Sequence, residues 1–488
     1  MDRRHFLRTG AVATAALGTA VAMLSSSSEA LAAPKKIKLL IPKGRERLKI
    51  GVLSDIHIIG ENSLEWFDKA LRHFRDNDVD GVVIAGDMAD WGIESQLQLV
   101  RNAWEKVFPS DEGAFGHKVE RLFVTGNHDI TSPTNKRVKG RGLDESEFFC
   151  YRKEELWQKV FGEPYQPIWK KEVGGYTFIG GQYANGKNIP GLEEFIAKAG
   201  VEGDKPFFYI QHMHPKDTCS APWTWGQDDG EVTRILSKYP NAVAFSGHSH
   251  TSLTDDRTMW QGAFTSIGTA SLRYIMPFGG RENTKVCNSK EKVPSQMKVQ
   301  GFKDGQHGSL MTVYDNCIVV DKIEFHNGDS LGRWVVPVPA GASQQPLSFD
   351  SRAQSYVAPQ FTSADASAIR ITRAMGEDRY GASEDQVSVF FPTVKGAPAE
   401  SADAPVRAFD YEVCVEMEDI DTVKTIGTKR VLSAGYHLGS GHDTKDVCCV
   451  FAVRELSCYR RWRFAVRPCN CYGTKGSPIY SPWQDPVQ

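Results

Sequence analysis

Short apolar runs alternate with amphipathic stretches from residue 48 to about residue 320. Lys49–Leu53, Gly81–Ala85, Leu122–Val124, Tyr176–Ile179, Phe207–Ile210 and Ala242–Phe245 are mostly apolar, too short for helices, and read as buried strands. Asn62–Asp76 places Leu64, Phe67, Leu71 and Phe74 on one helical face, and Glu94–Phe108 does the same with Leu97, Val100, Trp104 and Val107. Further helices are predicted around Glu145–Phe161, Leu192–Lys198 and Glu231–Lys238. Strands alternating with helices predict an α/β layered domain. After Phe264 the helical patterns stop. Leu310–Tyr314 and Ile318–Ile323 flank an Asp315-Asn316 turn and predict a hairpin in a second sheet. The Pro/Ala/Gly-rich Val336–Ser343 is a linker candidate. Beyond it, Val387–Phe391, Phe409–Val415, Val431–Ala434 and Arg461–Val466 predict a small all-β sandwich.

Composition adds little beyond size and class. With 488 residues, 41% hydrophobic and 24% charged, the chain suits two globular domains. A formal charge of -2 gives no support for nucleic acid as a stable partner. The N-terminus changes the picture more. Arg3-Arg4-His5-Phe6-Leu7, a mild apolar run from Gly10 to Leu24, and Ala30-Leu31-Ala32 form a leader pattern resembling a twin-arginine signal. The expected organisation is therefore residues 1–32 as signal peptide, 33–340 as the α/β domain and 341–488 as the β-sandwich. The expected location is periplasmic, extracellular or cell-surface, with no transmembrane segment once the leader is removed. Six of the ten cysteines, Cys414, Cys448, Cys449, Cys458, Cys469 and Cys471, crowd into the last 75 residues and predict one or more disulfides there.

Candidate chemistry sits at the strand ends. Asp55-Ile56-His57 follows the first strand, Gly86-Asp87 the second, and Gly126-Asn127-His128-Asp129 the third. His212 follows Phe207–Ile210, and Gly247-His248-Ser249-His250 follows Ala242–Phe245. The carboxyl ends of α/β strands are where a ligand crevice forms. This mixture of carboxylate, amide oxygen and imidazole, without thiolate, suits zinc, iron or manganese in a reactive site.

In this order the motifs resemble those of the calcineurin-like metallophosphoesterases over roughly residues 48 to 325. The resemblance implies a β-sandwich flanked by helices and two divalent or trivalent metal ions. One would be held by Asp55, His57 and His250, the other by Asn127, His212 and His248, with Asp87 bridging. It implies hydrolysis of a phosphodiester or phosphomonoester, in which hydroxide activated by two cations roughly 3.5–4 Å apart attacks phosphorus. His128 would serve the leaving group, and Asp90, three residues after Asp87, would orient His128 or else cap a helix. Purple acid phosphatases carry a ligand tyrosine at the position of Asp90, so no iron–tyrosinate site is expected. Gln211-His212-Met213-His214-Pro215 offers two histidines; His212 is preferred because it is closer to the strand end, and His214 faces substrate or caps the loop.

Two other features bear on substrate. Trp223 and Trp225 either wall the leaving group or pack their loop. Lys136, Arg137, Lys139 and Arg141, just after the third motif, form a basic loop suited to a phosphate remote from the scissile one or simply to solvent. Trp462 to Gly473 resembles the late strands of a fibronectin type III domain, a module that binds or spaces, here cell-surface or extracellular material. The alternative to an enzyme is a surface binding or adhesion protein in which the first domain is only a scaffold.

Overall fold

Two six-stranded sheets face each other across a common core, and the alternation of side chains along each strand explains why helices cover both outer faces. A computed structural model describes residues 40–187, 189–219, 226–276, 305–338, 347–348, 351–353, 357–378, 380–394, 397–398, 405–439, 446–456 and 459–486. The leader, Trp223, Trp225, Cys287, Cys458, residues 277–304 and most of the linker lie outside the described residues. Among the described residues, no helix is long and apolar enough to cross a membrane.

The first sheet joins β1 (Leu48–Leu53), β2 (Gly81–Ala85) and β3 (Glu120–Val124), all parallel. The second takes β4 (Ile168–Val173), β5 (Tyr176–Gly181), β6 (Phe207–Ile210), β7 (Ala242–Ser246), β8 (Met259–Gln261) and β9 (Thr265–Gly268), in the order β4-β5-β6-β7-β9-β8. The antiparallel strands β10 (His307–Val313), β11 (Cys317–Glu324) and β12 (Asp329–Pro337) then return to the first sheet, β10 pairing with β1. Ile50, Val52, Val83, Ala85, Leu122 and Val124 point inward against Phe178, Phe208, Ile210, Val243 and Phe245. The alternate residues Val82, Ile84 and Phe123 face α1 (Glu65–Asp76), α2 (Glu94–Val107) and α3 (Lys153–Phe161). Phe207, Tyr209, Ala242 and Ala244 face α4 (Leu192–Lys198) and α5 (Glu231–Leu236). The expected sandwich flanked by helices is the fold this chain adopts.

Three sequence expectations need correction. The helix expected over Glu145–Phe161 is regular only from Lys153; two 3-10 turns precede it, because Phe148 and Phe149 are buried in separate clusters. Neighbours that must point opposite ways cannot share one helical face. The linker candidate begins inside β12, where Val336 is buried and paired with Ile318. Among the described residues no disulfide occurs: Cys414, Cys448, Cys449 and Cys471 are free thiols. Cys448 and Cys449 are successive strand residues, one exposed and one buried, so they face opposite sides of their sheet.

The sheets of the C-terminal region are all antiparallel, consistent with a sandwich. It contains β13 (Arg370–Glu377), β14 (Ser383–Phe391), the two-residue strands β15 (Ala397–Pro398) and β16 (Pro405–Val406), β17 (Asp410–Asp419), β18 (Thr422–Leu432), β19 (Val447–Ala452), β20 (Trp462–Cys469) and β21 (Ile479–Tyr480). Sheets β13-β14-β19 and β18-β17-β20-β21 enclose Val389, Phe391, Val413, Val415, Phe451, Phe464 and Val466.

Phe409, Leu432 and the short helix α6 (Ala434–Leu438) join the core of the first sandwich. Two buried histidines stand at this junction. Burial drives the His307 pKa down to about 3, helped by His437 and Lys322, and drives His437 down to about 4, with Asp255 opposing and Arg257 assisting. An unfolded chain protonates both near 6.5, so their contribution to stability is complete above that pH and is lost as pH falls towards 4 and 3. The slope is about 1.4 kcal/mol per pH unit per histidine. The melting temperature is expected to fall over this window, and less steeply in His437→Gln; equal slopes would refute the assignment.

Candidate metal centre

Because β1, β2 and β3 are adjacent and parallel, the loops bearing Asp55, Asp87 and Asn127 leave one edge together. β6 and β7 are likewise adjacent and parallel, and bring His212 and His248 to the facing edge. The loops are stitched by main-chain bonds: Asp55 N to Gly86 O (3.0 Å), His57 N to Asp87 O (3.0 Å) and Gly247 N to His212 O (2.8 Å). Asp55, His57, Asp87, His248 and His250 all have φ between +49° and +69°. This left-handed conformation costs of order 1–3 kcal/mol for a residue with a Cβ and persists where a site requires it. Gly126 and Gly247 permit the close approach: a Cβ on the first would overlap Asp87, and on the second Asp55.

The side chains form two donor groups, with one carboxylate facing both. Asp55, His57 and His250 bring ligand atoms within 4.8 Å of one another, as do Asp87, His212 and His248. Asp87 Oδ2 stands between them, 3.7 Å from His57 Nε2 and 3.2 Å from His212 Nε2. Asn127 Oδ1 lies 3.0 Å from His212 Nε2, and His248 Nδ1 lies 3.1 Å from the same nitrogen. All nine sequence-predicted site residues converge here, with Asp90 and His128 at the more exposed end.

Three of the histidines have a fixed tautomer. Nδ1–H donates to Asp90 Oδ1 from His57 (3.0 Å), to Ala85 O from His212 (2.8 Å) and to Tyr274 O from His250 (2.9 Å). Each Nε2 lone pair is thereby turned inward, as metal coordination requires. His57 Nε2 and His250 Nε2 face each other at 3.2 Å. Asp55 Oδ2 accepts from Ser54 Oγ (2.5 Å) and His248 N (2.9 Å), whereas its buried Oδ1 accepts no hydrogen bond and faces His250 Nε2 at 3.1 Å.

Electrostatics agree with this geometry. Burial opposes charge on His57 and His212, yet Asp55 and Asp90 hold the first up at about 10, and Asp87 holds the second up at about 9. Burial likewise opposes charge on Asp87, which is nevertheless held below the ordinary carboxylate range by His212 and His57. A site this negative binds protons unless cations replace them. The orphaned Asp55 oxygen, the inward nitrogens and the mixed O/N donor set all fit metal ions.

Asp90 does not cap a helix, since α2 begins at Glu94 with Ile93 as its cap. Its Oδ1 sits 3.0 Å from His57 Nδ1 and 3.3 Å from His128 Nδ1, and its carbonyl oxygen accepts from His128 Nδ1 at 2.9 Å. His214 turns away from the donor groups: its nitrogens contact Ser246 Oγ and Ser249 Oγ, each at 2.7 Å, and burial lowers its pKa to about 4. It props the His248–His250 loop from behind.

Two contributions have no role assigned from the sequence. Asp129 accepts from the backbone N–H groups of Gly126 (2.8 Å), Ala89 (2.7 Å) and Met88 (3.2 Å), locking the second and third motif loops together. Tyr274 supplies the carbonyl for His250 and lays its ring beside those of His250 and His57, at 4.3 and 6.0 Å between centroids.

Residues 48–252 match the family model described as calcineurin-like phosphoesterase. They form a calcineurin-like phosphoesterase domain. Strands β8 to β12 lie beyond the matched residues but complete both sheets of this domain. Among solved structures, the chain is similar to GAP50, the anchor in the inner membrane complex of Plasmodium. That likeness has 12% identity and a TM-score of 0.35, covering 64% of this chain and 95% of that one. A conserved protein of Streptococcus pneumoniae TIGR4, titled a predicted phosphoesterase, is similar at 12% identity and TM-score 0.27, covering 59% and 97%. Vacuolar Protein Sorting 29 from Cryptosporidium parvum is similar at 9% identity and TM-score 0.28, covering 59% and 96%. No curated protein matches the chain.

Proposed function

We propose that this chain is an exported phosphoesterase whose phosphoesterase domain works with two metal ions. The observation that carries this reading is the position of Asp87 Oδ2 between the two donor groups. Asp55, His57 and His250 would hold one ion and Asn127, His212 and His248 the other, with Asp87 shared. Manganese, iron and zinc all suit these donors. Bound there, the pair supplies an acidified water and a clamp on the phosphate oxygens.

The chain's own residues do the rest. Asp90, Ala85 O and Tyr274 O hold three imidazoles in the metal-binding tautomer. Asp129 and the buried loop contacts keep the donors in place before substrate arrives. His128, anchored through Nδ1 to the Asp90 carbonyl, would turn Nε2 from its Arg137 contact to the leaving oxygen, to which it gives a proton or a hydrogen bond. The substrate is a phosphate ester. The C-terminal sheets, read as fibronectin type III-like, hold the enzyme at cell-surface or extracellular material.

Elemental analysis of the purified full chain, with hydrolysis of bis-p-nitrophenyl phosphate and p-nitrophenyl phosphate, tests the reading. About two ions per chain and metal-dependent turnover are expected, and the ratio of the two rates separates diesterase from monoesterase. A chain that stays free of metal and inactive after addition of manganese, iron or zinc is instead a scaffold.

A further inference from the structure

The basic loop after the third motif reaches back into the site through one residue. The carbonyl of Asn135 accepts from Val138 N and Lys139 N, and its side chain accepts from Arg137 N at 3.0 Å. Val138 is buried with Ile93 and Phe148, which pins the loop to the domain. Arg141 stacks its guanidinium 4.1 Å from the centre of the Trp91 ring and donates from Nε to Arg137 O at 2.8 Å. The backbone of Arg137 is therefore held on both sides, and its Nη1 contacts the His128 ring at Nε2 and, at 3.0 Å, Nδ1.

Two facts make that contact informative. Arg137 forms no ion pair with a carboxylate among the described residues, although Arg121, Arg152 and Arg234 of the same domain each do. The buried ligands Asp55, Asp87, His57 and His212 have side chains at most 3% exposed, against 9% for His128 and 21% for Asp90. The site thus opens to solvent at the His128 end, where a guanidinium with no carboxylate partner among the described residues stands against the nitrogen assigned to the leaving oxygen.

We propose that Arg137 binds a second phosphate attached directly to the leaving oxygen, so that this site favours diphosphate-linked substrates over simple esters. The inference rests on the phosphoesterase reading. A phosphorus bonded to the oxygen that meets His128 Nε2 carries its free oxygens into reach of Arg137, whose planar fork suits them. In hydrolysis the water oxygen bonds to the attacked phosphorus and the bond from that phosphorus to the bridging oxygen breaks. The electron pair leaves with the second phosphate, which Arg137 neutralises, and the elements of water are divided between the two products.

The test uses the metal-loaded full chain and compares the parent with Arg137→Met and Arg137→Lys. Bis-p-nitrophenyl phosphate reports turnover, while methylenediphosphonate and methylphosphonate serve as competing inhibitors at the same excess of metal. Arg137→Met is expected to raise the inhibition constant of methylenediphosphonate about tenfold more than that of methylphosphonate, the size of one lost charge-assisted contact; Arg137→Lys should fall between. Equal shifts for both inhibitors, or none, in a chain whose parent turns over would overturn the proposal and leave the phosphoesterase reading intact. A parent without metal or turnover would remove both.

Discussion

Asp87→Asn should cost about three orders of magnitude in turnover on bis-p-nitrophenyl phosphate and reduce bound metal to one ion or fewer per chain. The substitution isolates charge from shape. Asp87 Oδ1 accepts from His128 N at 2.8 Å, a bond the asparagine oxygen can keep, so the loop has no reason to move. What is lost is the anionic Oδ2 that faces a histidine of each donor group. Its removal weakens both halves of the centre at once, whereas loss of Asp55 or Asn127 would weaken only one. Parent-like metal content and turnover in this variant would sink the binuclear reading.

Asp90→Asn should lower turnover and metal affinity together, each by roughly 10- to 100-fold. The two histidines it serves make different predictions. If the carboxylate acted only through His128, metal affinity would stay at the parental value while turnover fell. Its Oδ1 is nearer His57 Nδ1, at 3.0 Å, than His128 Nδ1, at 3.3 Å, so the ligand should suffer as well. Burial works against the Asp90 charge, yet hydrogen bonds from His128 and His57 hold its pKa well below the ordinary carboxylate value. An asparagine cannot supply that charge. Metal titrations and steady-state rates on the same preparations separate the two roles.

How much of this was legible beforehand depended on whether the signal was local. Strand periodicity located β1, β2, β3, β5, β6 and β7 because each is a short apolar run with its ends marked by glycine or polar residues. The helix before Phe161 was misjudged because the burial of Phe148 and Phe149 on different sides is set by packing partners distant in sequence. The cysteine crowding suggested bridges, but density along a chain says nothing about which way neighbouring strand residues face.

The sequence by itself determined which side chains are available at the strand ends, and in what order. It also placed glycine beside them at 126 and 247, where in the folded chain a Cβ would collide with Asp87 or Asp55. Tertiary structure alone decided that His214 turns to Ser246 and Ser249, that Asp129 ties two loops together, and that Arg137 meets His128. It also set the tautomers of His212 and His250 through carbonyls at Ala85 and Tyr274. A main-chain carbonyl is the same on every residue, so nothing in the letters marks those two. Only the adjacency of strands distant in the chain brings them to the rings they orient.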